Sequence, residues 1–252
     1  MTKVIALAGK GGTGKTTIAA LLTRSLLRRG QGPVLAIDAD PAMNLHLALG
    51  LPAPTTVGEL REDLRTAQLA ISRQEHLTHQ IRMALEEGEQ VDLLAMGRPE
   101  GAGCYCAVNN MLRQILDDLG KSYRWVVVDN EAGMEHISRR TTRDVDLLLV
   151  VTDPTVRGAR AAQTIAAMAG EVDVKVRHKL LVVNRARGPL PPELEAALDE
   201  VGLERAAVVP ADDVLADLDA QGSALLHLNG ASPAGQAVEA LAERVLEATE
   251  NT

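Results

Sequence analysis

Gly9-Lys10-Gly11-Gly12-Thr13-Gly14-Lys15-Thr16-Thr17 is the stretch on which the fold turns, a match to the pattern G-x-x-x-x-G-K-[ST]. An apolar run at residues 4–8 leads into it, and residues 16–29 continue from it with helical spacing. Strand, glycine-rich loop and helix in that order separate a phosphate loop from a chance glycine-rich turn. The glycines let the backbone curl until its N–H groups point inward at phosphate oxygens. The helix adds its positive N-terminal end. Lys15 is expected to reach the β- and γ-phosphates and the Thr16 hydroxyl to ligate Mg2+, with Gly11, Gly12, Thr13, Gly14 and Thr17 completing the cradle.

Outward from the loop, short apolar runs alternate with longer helical patterns. Residues 4–8, 34–37, 91–96, 125–129, 147–152, 180–184 and 206–209 read as buried strands. Helices are expected at 16–29, 108–119, 157–169, 192–201 and 232–249. This alternation predicts an α/β fold, a mostly parallel, doubly wound sheet with helices on both faces. Residues 52–90 break the rhythm; they are polar and charged and are expected to form a less regular helical excursion at the sheet's edge. No linker, repeat or low-complexity tract interrupts the chain, which predicts one domain over residues 1–252. With no Phe, one Trp and two Tyr, the core must be built from Leu, Val, Ile and Ala. Those residues suit buried parallel strands.

Carboxylates at the carboxyl ends of parallel strands face the ligand crevice. Asp38 and Asp40 follow the run at 34–37, and Asp129 ends the run at 125–129. Asp129 is expected to hold Mg2+ through water, with Asp38 a further candidate for the same ion. One Asp after a strand is often only a turn former. Three acids at two such ends, beside a phosphate loop, suit a nucleotide site better. Asn184 ends another strand, and Pro210-Ala211-Asp212-Asp213 follows the last; without further information both would pass as turns.

The formal net charge of −8 makes the chain a poor general binder of nucleic acid or of anionic membrane. No stretch approaches 18 consecutive apolar residues, and the N-terminal run is too short for a secretory signal. The terminal helix carries Glu239, Glu243 and Glu247 rather than a basic face. Two cysteines in 252 residues form no disulfide framework. Cytoplasm is the natural compartment, with neither nucleic acid nor membrane as partner.

Lys10 is a second lysine inside the loop, which an ordinary phosphate loop does not need. On this feature the sequence resembles the deviant Walker A class: MinD and ParA ATPases, the nitrogenase iron protein and related metal-centre chaperones. In that class the extra lysine crosses a dimer interface to the partner's nucleotide. The resemblance therefore implies ATP and ADP as ligands, a homodimer, and catalytic roles for Lys10, Lys15, Asp40 and Asp129. It implies that Asp40 positions or activates the attacking water, that Asn184 reads the adenine base, and that Pro210 opens the other wall of the base pocket. Without it, Lys10 reads as a solvated loop lysine.

Both cysteines fall in Arg98-Pro99-Glu100-Gly101-Ala102-Gly103-Cys104-Tyr105-Cys106. A disulfide two residues apart would be strained, whereas thiolates bind soft or borderline metals well. One pair gives two ligands; a symmetric dimer would supply four from the same positions. Two cysteines packing as small hydrophobes is the alternative. Residues 100–113, with Asp129-Asn130-Glu131-Ala132-Gly133-Met134-Glu135-His136, resemble the CooC family, accessory ATPases that mature nickel enzymes. That resemblance implies a maturation ATPase assisting nickel insertion into carbon monoxide dehydrogenase or acetyl-CoA synthase. Its client would be that nickel enzyme, and Zn2+ or Ni2+ would bind between subunits at Cys104 and Cys106. Two rival readings are a MinD- or ParA-like positioning ATPase and an iron–sulfur reductase like the nitrogenase iron protein. His76 and His79, three apart, read as solvated more readily than as a metal pair, and His136 as packing or as a sensor of nucleotide state.

Overall fold

A computed structural model describes residues 2–59, 81–97, 120–131, 145–171, 176–228 and 232–250. The strands form where β-branched and Leu-rich runs can be buried on both faces. They are β1 (Lys3–Ala8), β2 (Val34–Ala39), β3 (Val91–Ala95), β4 (Trp125–Asn130), β5 (Val145–Thr152), β6 (Val176–Ala186) and β7 (Glu204–Pro210). Every residue of β2, β4 and β5 is buried, as expected of central strands in a parallel sheet. The described helices of five residues or more are α1 (Lys15–Arg28), α2 (Leu45–Leu49), α3 (Val156–Glu171), α4 (Pro192–Asp199), α5 (Asp213–Ala220) and α6 (Pro233–Glu250).

All seven strands are parallel, in the order β3-β2-β4-β1-β5-β6-β7. The chain builds outward from β1 to β2 and β3, returns with β4, then crosses β1 to β5. Strand β1 is thus flanked by β4 and β5, and the loop after it opens at the point where the winding reverses. In sheets of this kind ligands bind in the crevice beyond the carboxyl ends at such a switch point.

Two apolar layers hold the sheet. One face packs Ile5, Leu7, Val127, Leu147 and Leu149 against Ile18, Leu22 and Leu26 of α1 and Val238, Leu241 and Val245 of α6. The other packs Val126, Val128, Leu148 and Val150 against Ala159, Ala162 and Ile165 of α3 and Leu194 and Leu198 of α4. The largest fully buried side chains are all Leu or Ile, as the scarcity of aromatics required. Each buried side chain of this size contributes ~1.5–3 kcal/mol relative to exposure. Arg24 fastens α1 to the C-terminal segment: it is buried, donates to the Leu228 carbonyl at 2.6 Å, and pairs with Glu239 at 3.2 Å.

Each run expected as a strand is one, with β6 and β7 longer than their apolar cores. Helices α1, α3, α4 and α6 fall where they were expected; α2 and α5 were not anticipated. The helix expected at 108–119 lies outside the described residues. The excursion expected over 52–90 is described only at its ends. Both ends return to the edge of β3, where Thr56 bridges to Ala95 and Glu86 to Leu93.

Candidate nucleotide site

The loop between β1 and α1 has its backbone fixed at Gly12 (φ 82°) and Gly14 (φ 87°), left-handed conformations that any side chain would strain. Thr13 closes it, donating from its amide at 3.3 Å and from its hydroxyl at 3.0 Å to the Lys10 carbonyl. Helix α1 starts with Gly14 as its N-cap, without a side-chain cap bond and without an acid in its first turn. Its first N–H groups are therefore left to face the loop, where an anion would satisfy them. Lys15 is 6% exposed, and its ammonium donates to the Gly9 carbonyl at 3.2 Å. Thr16 and Thr17 are half-buried on the first turn of α1; Lys10 and Gly11 are exposed at the crest of the loop.

Asp129 and Asp38 stand side by side in register on β4 and β2, on the α1 face of the sheet. The Thr16 hydroxyl donates to Asp129 Oδ2 at 2.6 Å, while Asp129 Oδ1 is buried without a hydrogen-bond partner. A buried carboxylate oxygen left unpartnered is costly unless a cation or its water accompanies it. The residues present thus fit Mg2+, with Thr16 and Asp129 as the protein's contribution and the rest of the shell left to phosphate oxygens and water. Asp38 is differently occupied: Oδ1 accepts from the Asp40 amide at 3.0 Å and Oδ2 from the Leu45 amide at 2.9 Å. Both oxygens shape the turn into α2. Asp40 is half-buried on that turn, its Oδ1 accepting from the Ala42 amide at 2.8 Å.

Burial raises the Asp129 carboxyl to about 7, with the Asp38 charge pushing the same way and the Thr16 hydroxyl opposing it. Burial likewise raises Asp38 to about 6, against the pull of the Leu45 and Asp40 amides. A carboxyl must lose its proton before it serves a cation. Mg2+–nucleotide binding is therefore expected to release about one proton per site near pH 6 and almost none at pH 8.5, and to weaken as pH falls through 7. Calorimetry in buffers of different ionisation enthalpy measures this directly; binding heat independent of buffer at pH 6 would contradict it. The sign for the empty protein is opposite. Because both folded values lie above the ordinary carboxyl value, its fold loses stability as pH rises from about 4 to 7.

Asn184, 4% exposed at the end of β6, donates from Nδ2 to the Thr13 carbonyl at 2.8 Å and accepts at Oδ1 from the Arg185 amide at 2.9 Å. It stands against the phosphate loop. Pro210 ends β7, half-buried and opposite Ala186, and the Ala211 amide donates to the Ala186 carbonyl at 2.8 Å. The carboxyl ends of β6 and β7 are thereby tied together beside the loop. Asp212, which sequence reading did not single out, caps α5 through the Val214 amide and accepts from Ser232 and the Ala234 amide at the start of α6. Thr155 was likewise passed over; its hydroxyl accepts from the Gly158 amide in the first turn of α3. So was Arg185, whose guanidinium donates to the Gly12 carbonyl at 3.1 Å.

Lys10, Lys15, Thr16, Asp129 and Asn184 thus stand on or against one loop and its strand ends, with Asp38 buried beside Asp129 and Asp40 half-buried on the turn that follows. Cys104 and Cys106 lie outside the described residues, as do His76, His79 and His136. Among the described residues no group of three or more His, Cys, Asp or Glu is arranged to hold a metal, and no helix is long and apolar enough to cross a membrane.

Known proteins place this chain in a family. An uncharacterized ATP-binding protein of Methanocaldococcus jannaschii is 40% identical, over 96% of this chain and 98% of its own. The carbon monoxide dehydrogenase accessory protein CooC of Rhodospirillum rubrum is 31% identical, over 96% and 97%. Among solved structures, the septum site-determining protein MinD of Pyrococcus horikoshii, complexed with Mg-ADP, superposes with a TM-score of 0.72. It covers 97% of this chain and 96% of its own, at 24% identity, a likeness of fold. The model of the CobQ/CobB/MinD/ParA nucleotide-binding domain matches residues 4–226, and this chain belongs to that family.

Proposed function

We propose that the chain is a Mg2+-dependent ATPase that works as a homodimer, and that it assists nickel insertion into carbon monoxide dehydrogenase or acetyl-CoA synthase. One observation carries the ATPase reading: the unpartnered Asp129 Oδ1, buried beside the Thr16 hydroxyl at the mouth of an uncapped helix. Phosphoryl transfer to water needs positioning and charge neutralisation more than covalent chemistry. Lys15 and the open amides of α1 would hold the phosphates, Thr16 and Asp129 would hold Mg2+, and Asp40 would orient the attacking water. Asn184 and Pro210 would flank the adenine. Lys10, exposed at the crest, would serve a partner's nucleotide.

The maturation reading rests on the CooC relative, which matches along nearly the whole chain, together with Cys104-Tyr105-Cys106. Four thiolates, two from each subunit, would bind one Zn2+ or Ni2+ as cargo. Cys104→Ser and Cys106→Ser are each expected to abolish that binding, since symmetry removes two ligands at once, while ATP turnover survives. Equilibrium dialysis with zinc and with nickel, alongside mass measurement in solution, tests it. Full binding by a monomer, or by either serine variant, would sink the shared site.

The fold match to MinD favours a second reading, a positioning ATPase. It predicts ATP-dependent association with lipid vesicles or DNA and no metal per dimer, so the same dialysis separates the two. A cluster-carrying reductase would be brown when purified without oxygen, whereas a zinc carrier is colourless.

A further inference from the structure

Arg185 is one of two non-glycine residues in the described structure with positive φ, at 61°. Such a conformation is sparsely populated by side-chain-bearing residues, and it persists only where the surroundings over-determine it. Here two bonds do so. Its amide is held by Asn184 Oδ1, and its guanidinium reaches back to donate to the Gly12 carbonyl at 3.1 Å. The neighbouring Asn184 amide donates to the next carbonyl of the loop, that of Thr13. The pairing of β6 with β7 is irregular between Val183 and Ala186, which frees this corner from the ladder. Gly14 completes the fit, since a Cβ there would stand 2.4 Å from Asn184 Nδ2 and about 3.6 Å from the guanidinium.

Two successive carbonyls of the phosphate loop are therefore held by two successive side chains of one strand end. A peptide whose carbonyl points outward has its following N–H on the opposite side. Holding the Thr13 carbonyl against β6 thus turns the Gly14 amide the other way, while the Thr13 amide, opposite the anchored Gly12 carbonyl, closes the loop onto the Lys10 carbonyl at 3.3 Å. We propose that Arg185 is a positioning residue that preorganises the phosphate loop for the polyphosphate of its nucleotide, acting through the Gly12 carbonyl rather than by touching the ligand. Asn184 is the fixed half of this clasp and Arg185 its exposed, charged half. The inference rests on the nucleotide-site reading but not on hydrolysis, dimerisation or nickel delivery.

Arg185→Gly is the informative variant, because glycine adopts φ 61° without strain and removes only the clasp. Loss of one charge-assisted hydrogen bond at an exposed site is expected to weaken Mg-ADP binding about tenfold, or ~1.4 kcal/mol. Without nucleotide, backbone amides of residues 10–15 should exchange with deuterium several-fold faster, with melting temperature unchanged. Arg185→Lys, which keeps a donor, should recover part of both effects. Weaker binding with unchanged exchange would make Arg185 a direct ligand and overturn the positioning role. Unchanged binding and exchange would overturn it outright, and so would a fall in melting temperature with the loop's exchange unaltered. If the parent itself fails to bind Mg-ADP yet the loop still loosens in Arg185→Gly, the nucleotide reading fails and the clasp stands.

Discussion

Lys15→Ala is expected to lose Mg-ADP and Mg-ATP binding by about 10²- to 10³-fold while the domain stays folded. The ammonium is buried between the Gly9 carbonyl and the open first turn of α1. In so dry a place, truncating one partner of a charge pair costs ~2–5 kcal/mol. In the empty protein the lysine hydrogen-bonds one carbonyl and eases the burial of the Asp129 charge, so its removal should cost the fold less than the ligand. Asp40→Ala provides the contrast. Its carboxylate sits on a half-buried turn, engaged by the Ala42 amide and away from the loop's own hydrogen bonds. That variant should bind nucleotide nearly as the parent does and release phosphate slowly. Calorimetric titration beside a phosphate-release assay compares them; equal loss of binding in both would remove the distinct role given to Asp40.

Lys10→Ala is expected to reduce turnover far more than affinity. A cation supplied to the transition state from a partner subunit is worth roughly 10³–10⁵ in rate, by analogy with arginine fingers. Within one chain, the Lys10 carbonyl closes the loop onto Thr13, while its side chain stays exposed. Alanine keeps the carbonyl, so the loop should hold its shape and bind nucleotide. What should fail is hydrolysis and the association driven by a non-hydrolysable ATP analogue, read by sedimentation. A variant that dimerises and turns over like the parent would return Lys10 to the role of a solvated surface lysine.

The central sheet was legible because strands buried on both faces read as unbroken apolar runs: β4 is Trp125-Val126-Val127-Val128 before its acid, and β5 is apolar nearly throughout. Strands β6 and β7 exceed their apolar cores because their ends lie at the sheet's margin, where Arg177, Glu204 and Arg205 are exposed. Helix α2 has five residues, too few for a period to show, and begins on a carboxylate seven residues earlier in the sequence. Helix α5 buries no side chain fully, so no apolar stripe announces it.

At the site, the meeting of Lys15, Thr16 and Asp129 was legible because the motif and the strand end fix where they stand. Asp38 was read as a candidate for the metal, and its oxygens are in fact both taken by backbone amides, a local geometry that spacing alone does not reveal. Arg185 left no signal at all. Its left-handed backbone and its reach across 173 residues to Gly12 exist only in the folded chain.

The most direct test of the central claim is titration of the purified protein with ADP, with and without Mg2+, at pH 8 and pH 6. Binding is predicted at one nucleotide per chain, tightened by Mg2+ at pH 8, with that tightening much reduced at pH 6 as Asp129 takes up its proton. Binding indifferent to Mg2+ at both pH values, or none at all, would contradict the assignment of Thr16 and Asp129 as the metal-holding pair of a nucleotide site.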